Sequence, residues 1–385
     1  MNYINASQDA KIEKSFEQLF DYFRSTNLQS EEYFVALYLL YLYYKEIDLT
    51  SVEYDYIASF NTTNIDSQSR LLNKDQVFEL NQVFRPALEI LGINVQNVSN
   101  GIFKNIDHKI LEDNFPRIFD RLLYRLLKSQ GRFSGEIIMP EELSRFMCSL
   151  VELPANAKIY NPFAGLASIG VLFDGGQDYI GQELNHRTWA IGALRILVHD
   201  NNHSHFIHGD SIQEWIGSQE FDLIISNPPF GLRLKHIVDG HFGRIRSAEL
   251  FIVENGLAAL KQKGKMILCV PKGLLFELGT EQNFRMHLIE NDLLEMVISL
   301  PSGLLMNAGL ATAIIVINKD KKEKGKVRFV EAKSFVESSP SKEKKLDHHK
   351  LNSVIWNSID TEVLRIVSNE TIAANDFNLN VPRYN

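Results

Sequence analysis

The chain has 385 residues, 45% of them hydrophobic and 23% charged, the balance of an ordinary globular protein with room for two domains. Its two cysteines, Cys148 and Cys269, are too few and too far apart for a disulfide framework or a cysteine-based zinc site, and a reducing cytoplasm is expected. A formal net charge of −8 argues against a protein that holds nucleic acid unaided through an overall basic face.

The opening Met-Asn-Tyr-Ile-Asn-Ala-Ser lacks the basic and apolar regions of a secretory signal. Residues 1–130 read as an all-α N-terminal domain for partner or DNA contacts. Ile12, Phe16, Leu19, Phe20 and Phe23 recur three and four apart, and no stretch alternates like a strand. The apolar run from Tyr33 to Tyr44 falls short of the about twenty residues that cross a bilayer, so it is read as a buried helix and no membrane is expected. Arg117 to Leu127 closes this domain, and Ser129 to Gly135 has the composition of a connector.

From residue 131 to 385 the pattern is α/β. Ala157 to Tyr160 reads as a strand, followed by the small-residue turn Asn161-Pro162-Phe163-Ala164-Gly165-Leu166-Ala167-Ser168 and an apolar helix through Phe173. Such a turn lets a ligand approach the backbone and meet a helix N-terminus. The next strand begins at Asp178 and ends in Glu183, about twenty residues on, a spacing that suits a carboxylate gripping ribose hydroxyls in a doubly wound sheet. A helix from Asn185 to about His199 leads to a third strand, His205 to His208, ending in Gly209-Asp210-Ser211. The fourth, from Asp222, runs into Asn227-Pro228-Pro229-Phe230. Four strand ends therefore carry polar groups to one edge, where open α/β sheets bind ligands.

The basic residues Arg233, Lys235, His236, Arg244 and Arg246 come next, in a Gly-containing segment that suits either a nucleic-acid strand or a solvated loop. Helices are expected at Ala248 to Lys261 and Glu281 to Ile289. Lys319 to Lys326 reads as a solvated hairpin tip between Ile314–Ile317 and Val327–Val330, and Leu351 to Val367 reads as one more helix. His199, His203, His205 and His208 straddle a helix end, a loop and a strand, and are read as polar loop residues rather than as a metal site. Trp189, Trp215 and Trp356 are read as core or interface residues.

Asn-Pro-Pro-Phe after an apolar strand suits one kind of chemistry. The lone pair of a planar amino group is delocalised into its ring. The Asn227 side-chain carbonyl and the Pro228 backbone carbonyl can each accept one of its N–H bonds, drawing the nitrogen towards a geometry that attacks a methyl sulfonium. Two prolines hold φ near −65° and aim the carbonyls in advance. Phe230 offers a ring on which a flipped base stacks. The bland alternative is a stop signal after a strand, with Phe230 in the core.

The order of turn, acid, Gly-Asp and Asn-Pro-Pro-Phe resembles the amino-methyltransferases that use S-adenosylmethionine. More closely, it resembles the modification (M) subunit of type I restriction-modification systems, the N-6 adenine DNA methylase family. The resemblance extends through Gly181–Asn185, Gly264–Met266, Val270–Phe276, Leu293–Pro301, Ala311–Val316 and Asn378–Tyr384. It implies a Rossmann-like methyltransferase sheet with a C-terminal helical extension and catalysis by Asn227, Pro228, Pro229 and Phe230. It also implies a cofactor site drawn from Glu136, Met139, Pro140, Asn161, Pro162, Ala164, Gly165, Leu166, Glu183 and Asp210, and no metal. The implied substrate is DNA, with a specificity subunit and a restriction nuclease subunit as partners. The family opens its cofactor turn with Asp-Pro and further glycines, whereas this chain has Asn161, Ala167 and Ser168. It also carries an aromatic residue and Thr-Pro where this chain has Gly135 to Pro140. One missing charge-assisted hydrogen bond corresponds to about 1.5–3 kcal/mol, or roughly one to two orders of magnitude in cofactor affinity. Two further readings stand beside this one: a methyltransferase-fold scaffold without catalysis, and methylation of an rRNA base or a protein glutamine amide.

Overall fold

The computed structural model describes residues 6–47, 74–130, 139–173, 176–201, 204–217, 220–305, 311–338, 344–357 and 359–384. They form two compact units, Met1–Glu136 with Asn185–Phe206, and Ile137–Leu184 with Ile207–Asn385.

The first unit is helical: α1 (Ala6–Arg24), α2 (Val35–Tyr44), α3 (Lys74–Leu91), α4 (Val95–Phe103) and α5 (His108–Gln130). The α1 side chains at helical spacing, Ile12, Phe16, Leu19, Phe20 and Phe23, are all buried. Helix α2 is apolar all round and buried from Val35 through Leu42, as a helix without a polar face must be. Arg121 and Arg125 of α5 pair with Asp9, Glu13 and Glu17 of α1. Helix α6 (Glu141–Ser149) belongs to the second unit and α7 (His186–Val198) to the first. Asn185 caps α7 by accepting from the Thr188 N–H at 3.0 Å.

The strands are β1 (Lys158–Pro162), β2 (Asp178–Glu183), β3 (Ser204–His208), β4 (Phe221–Ser226), β5 (Arg233–Gly240), β6 (Gly243–Ser247), β7 (Leu260–Pro271), β8 (Leu294–Ser299), β9 (Thr312–Asn318), β10 (Lys326–Glu331), β11 (Val336–Ser338), β12 (Lys344–Leu346) and β13 (Leu364–Ser368). Helices α8 (Ala248–Ala259), α9 (Thr280–Glu290), α10 (His348–Ile355) and α11 (Asn369–Ala374) complete the chain. Among the described residues, nine strands make one sheet in the order β13-β10-β8-β9-β7-β4-β1-β2-β3. Pairing is parallel from β2 through β1 and β4 to β7, and between β8 and β10, while β9 and β13 run against their neighbours. All seven residues of β9 are buried, which is why its central run Ala313–Ile317 is continuously apolar rather than alternating. Gly264 lets β7 cross close to β4, since a Cβ there would lie 2.8 Å from the Phe221 carbonyl.

Three sequence expectations are corrected. The run from Leu351 to Val367 is not one helix, because Leu364–Ser368 pairs antiparallel with β10 at the sheet margin. Ladder hydrogen bonds and burial of Leu364 outweigh local helical spacing there. Strands β9 and β10 are not hairpin neighbours, because β8 lies between them. Their connection is not simply solvated either. Lys321 is 2% exposed, donates to the carbonyls of Leu294 (3.0 Å) and Lys326 (2.9 Å) and pairs with Asp292.

Candidate active site

Strands β1, β2 and β4 lie side by side in one direction, so Pro162, Glu183 and Ser226 end at one edge. The edge is tied together by polar links. The Ala164 N–H donates to the Gln182 carbonyl at 2.9 Å, and the Gly209 N–H to the Glu183 carbonyl at 3.0 Å. The Ser226 hydroxyl donates to the Pro162 carbonyl, joining the small-residue turn to the residue just before Asn227.

The helix expected after the small-residue turn does not form. Phe163, Gly165 and Ala167 all take left-handed backbone angles, φ 56°, 57° and 56°. The chain then continues through turns into the short 3-10 segment Gly170–Leu172. Left-handed residues this close together cannot carry right-handed helical hydrogen bonding. What the turn offers a ligand is therefore its own backbone, not a helix N-terminus. A Cβ added to Gly165 would meet nothing within 4 Å, so this turn faces open space, and its φ suits glycine.

One acid ends β2 and a second follows β3. A Glu183 carboxylate oxygen accepts from the Gly165 N–H at 3.0 Å, which fixes the acid against the turn. Asp210 accepts from the Ile212 N–H (2.9 Å) and the Gln213 side chain (3.0 Å), organising the loop after β3. Ser211 in that loop accepts from the Phe163 N–H at 3.4 Å. An open glycine turn bound by the carboxylate that ends β2, with a second acid in the loop after β3, fits a nucleoside-bearing cofactor.

Asn161 is 2% exposed. With its amide oriented to match its surroundings, Nδ2 donates to the Ile225 carbonyl at 2.8 Å and Oδ1 accepts from the Tyr179 hydroxyl at 3.0 Å. A carboxylate could not donate to that carbonyl, which accounts physically for an amide at this position. Pro162 and Ala164 are buried at the turn, as is Leu166. Met139 is buried, and Pro140 caps the N-terminus of α6, its carbonyl accepting from the Leu143 and Ser144 N–H groups. Glu136 lies outside the described residues.

Asn227 follows β4 directly. Its Oδ1 is buried and accepts no hydrogen bond from any described residue. Pro228 is buried, Pro229 is exposed and Phe230 is half-buried. The turn closes through the Leu232 N–H, which donates to the Pro229 carbonyl at 3.1 Å. Sequence reasoning missed the residue that holds this turn from below. Glu249, 2% exposed in the first turn of α8, accepts from the Gly231 N–H at 3.0 Å. Gly231 has φ 68°. Burial pushes the Glu249 carboxyl above the ordinary glutamate value, against the opposing effect of the Gly231 hydrogen bond. The available signal was an acid at the start of the otherwise apolar run Ala248–Val253.

The remaining expectations fall elsewhere. His199 caps the end of α7 and meets Asp120 at 3.1 Å. Burial raises the Asp120 carboxyl, but Arg195 and His199 outweigh it and hold the group at about 2. His205 is exposed, the His208 ring meets the Leu184 carbonyl at 3.1 Å, and His203 lies outside the described residues. Trp189 is fully buried, Trp215 packs edge-on against Tyr160 at 5.0 Å, and Trp356 is 44% exposed.

The N-6 DNA Methylase family profile matches residues 111–385. The chain is 28% identical over 320 residues to the type I restriction enzyme MjaVII methylase subunit of Methanocaldococcus jannaschii, covering 73% of this chain and 54% of that one. It is 24% identical over 311 residues to the MpnII methylase subunit of Mycoplasma pneumoniae, covering 71% and 57%. It thus spans about half the length of these relatives. Among solved structures, a type I restriction-modification methyltransferase subunit from Streptococcus thermophilus superposes with a TM-score of 0.75 at 18% identity, covering 98% of this chain and 99% of that one. A second, from work on complex assembly and conformational transition of the type I R-M system, has a TM-score of 0.71 at 18% identity and covers 98% and 91%. A family match that starts in α5 and runs through every strand to the last residue does not rest on one tetrapeptide, and the chain belongs to the N-6 DNA methylase family.

Proposed function

We propose that the chain transfers a methyl group from S-adenosylmethionine to the N6 amino group of adenine in DNA. It acts as the modification subunit of a restriction-modification complex. The observation that carries the reading is the buried, unpartnered Asn227 Oδ1, a costly atom to keep unless a ligand donates to it. In the proposed reaction the target adenine leaves the duplex stack, and its amino group donates to Asn227 Oδ1 and the Pro228 carbonyl. Phe230 stacks on the base. The Ser226 link to Pro162 holds both turns in register, so the amino group is presented towards the cofactor turn. The Gly165 turn, Glu183 and Asp210 would hold S-adenosylmethionine, which supplies an electrophilic sulfonium methyl.

A net charge of −8 supports a second subunit that selects the DNA sequence, as does the description of the matched relatives as methylase subunits. In this reading, residues 1–130 contact that partner or the DNA. The test is methyl transfer from labelled S-adenosylmethionine by the chain co-expressed with its genomic neighbours, with products identified by mass spectrometry of nucleosides and protein. N6-methyladenine in DNA is expected from wild type, and from Asn227→Ala at a rate lower by about 10²–10³. Label in an RNA base or a glutamine amide would reassign the substrate, and cofactor binding without any methylated product would leave a scaffold.

A further inference from the structure

The segment after Phe230 is an ordered antiparallel hairpin, not a loop. Val238 pairs with Ile245, Asp239 with Arg244 and Gly240 with Gly243, and an irregularity in register separates these from the pair Arg233–Ser247. Its inner side is anchored. Ile245 is fully buried, and Leu234 and Val238 pack on the core. The tip is held as well: the His241 N–H donates to Glu254 of α8 at 3.1 Å, and Phe242 sits edge-on against Phe284 of α9 at 5.4 Å. The base is continuous with the catalytic turn, since the Ala248 N–H donates to the Leu232 carbonyl at 2.9 Å and Gly231 is held by Glu249.

Two of the hairpin's cationic side chains lie on the other side. Arg244 and Arg246 flank the buried Ile245 and therefore share the opposite face of β6. Arg233 and the irregular stretch Lys235-His236-Ile237 are exposed as well, as expected where a bulge re-aims side chains outward. Arg233 and Lys235 on β5, with Arg244 and Arg246 on β6, stand against the single acid Asp239. None of these four cations forms an ion pair with a described residue. A chain of net charge −8 thus carries four exposed, unpaired cations on one anchored hairpin that starts just after the catalytic turn.

We propose that the outer face of this hairpin grips the DNA phosphates flanking the extruded adenine. This rests on the reading of the reaction given above and names the surface that receives the backbone. Phosphate contact through arginines neutralises charge and positions the strand without reading sequence. That division suits a chain whose sequence choice is made by another subunit.

The test is binding of a short fluorescein-labelled duplex by the full-length chain, followed by anisotropy across a salt series from about 50 to about 200 mM. Deleting one cation that neutralises a phosphate lowers the slope of log affinity against log salt by about 0.9, so Arg244→Ala with Arg246→Ala should lower it by roughly 2. Arg244→Lys with Arg246→Lys should keep the slope, because the charge is retained. Lys322→Ala with Lys324→Ala, a pair of exposed lysines between β9 and β10, should also keep it. S-adenosylmethionine binding and the melting midpoint should stay at wild-type values in all three. An unchanged slope in the alanine pair, an equal loss in the Lys322 and Lys324 pair, or no duplex binding by wild type at low salt overturns the proposal. Asn227→Ala separates the two ideas. If it transfers methyl groups at the wild-type rate while the hairpin variant loses its slope, the reaction falls and the surface stands; the reverse pattern removes the surface alone.

Discussion

Replacing Asn227 with alanine should make the protein more stable and far slower at once. In the free protein Asn227 Oδ1 is buried without a donor from any described residue, and an unsatisfied buried acceptor costs about 1–3 kcal/mol. Alanine keeps the Cβ and removes the amide, whose atoms give up dispersion attraction worth about 0.1–0.2 kcal/mol per atom pair, roughly 0.5–1 kcal/mol in all. The balance is a gain of about 0–2.5 kcal/mol, and in a domain of this size each kcal/mol moves the melting midpoint by about 2–4 °C. The same change deletes an acceptor that acts on the amino group during transfer, at a cost of about 10²–10³ in rate by analogy with removing one preorganised hydrogen-bonding group elsewhere. Thermal unfolding followed by fluorescence, together with initial rates of labelled methyl transfer, reads both effects on one preparation. A lowered midpoint would refute the idea that this carbonyl is kept for a ligand at the expense of stability. Undiminished transfer would refute its role in the reaction.

Glu249→Ala leaves the Gly231 N–H without its acceptor and should cost about 1–3 kcal/mol in chemical denaturation, with a fall in transfer, whereas Glu249→Gln retains an acceptor and most activity. Because burial raises the Glu249 carboxyl, its contribution to stability is full below about pH 4.3 and is lost as pH rises through the folded value. Glu249→Gln should therefore lose less stability than wild type between acid and neutral pH, and denaturation curves of equal pH dependence would contradict this. Asn161→Asp should destabilise by about 2 kcal/mol or more at neutral pH, because a carboxylate would face the Ile225 carbonyl, with a smaller loss in acid. Tighter S-adenosylmethionine binding by that variant, measured by calorimetry, would instead show that the cofactor prefers an acid there. Gly165→Val places a branched side chain in left-handed backbone and in the open space before the turn, and calorimetry should show cofactor binding lost.

Most of the edge was legible because its parts are local. The apolar run into Asn227, the acid closing the strand at Glu183 and the helix that starts at Asn185 each depend on neighbours a few residues away, so residue type and spacing carry them. The helices of the first unit were legible for the same reason, since the spacing of Ile12, Phe16, Leu19, Phe20 and Phe23 is itself the buried face. What the tertiary structure decided is pairing and partnership across the chain. Leu364–Ser368 is a strand only because β10 presents its edge, and β9 and β10 are separated only because β8 enters between them. Glu249 holds Gly231 from 18 residues away, and Asn161 is an amide because a tyrosine hydroxyl and a strand carbonyl from two other strands meet it. Local dihedral preference and periodicity are properties of a short window of sequence. The hydrogen-bond partner that decides between an acid and an amide is known only once distant segments have packed together.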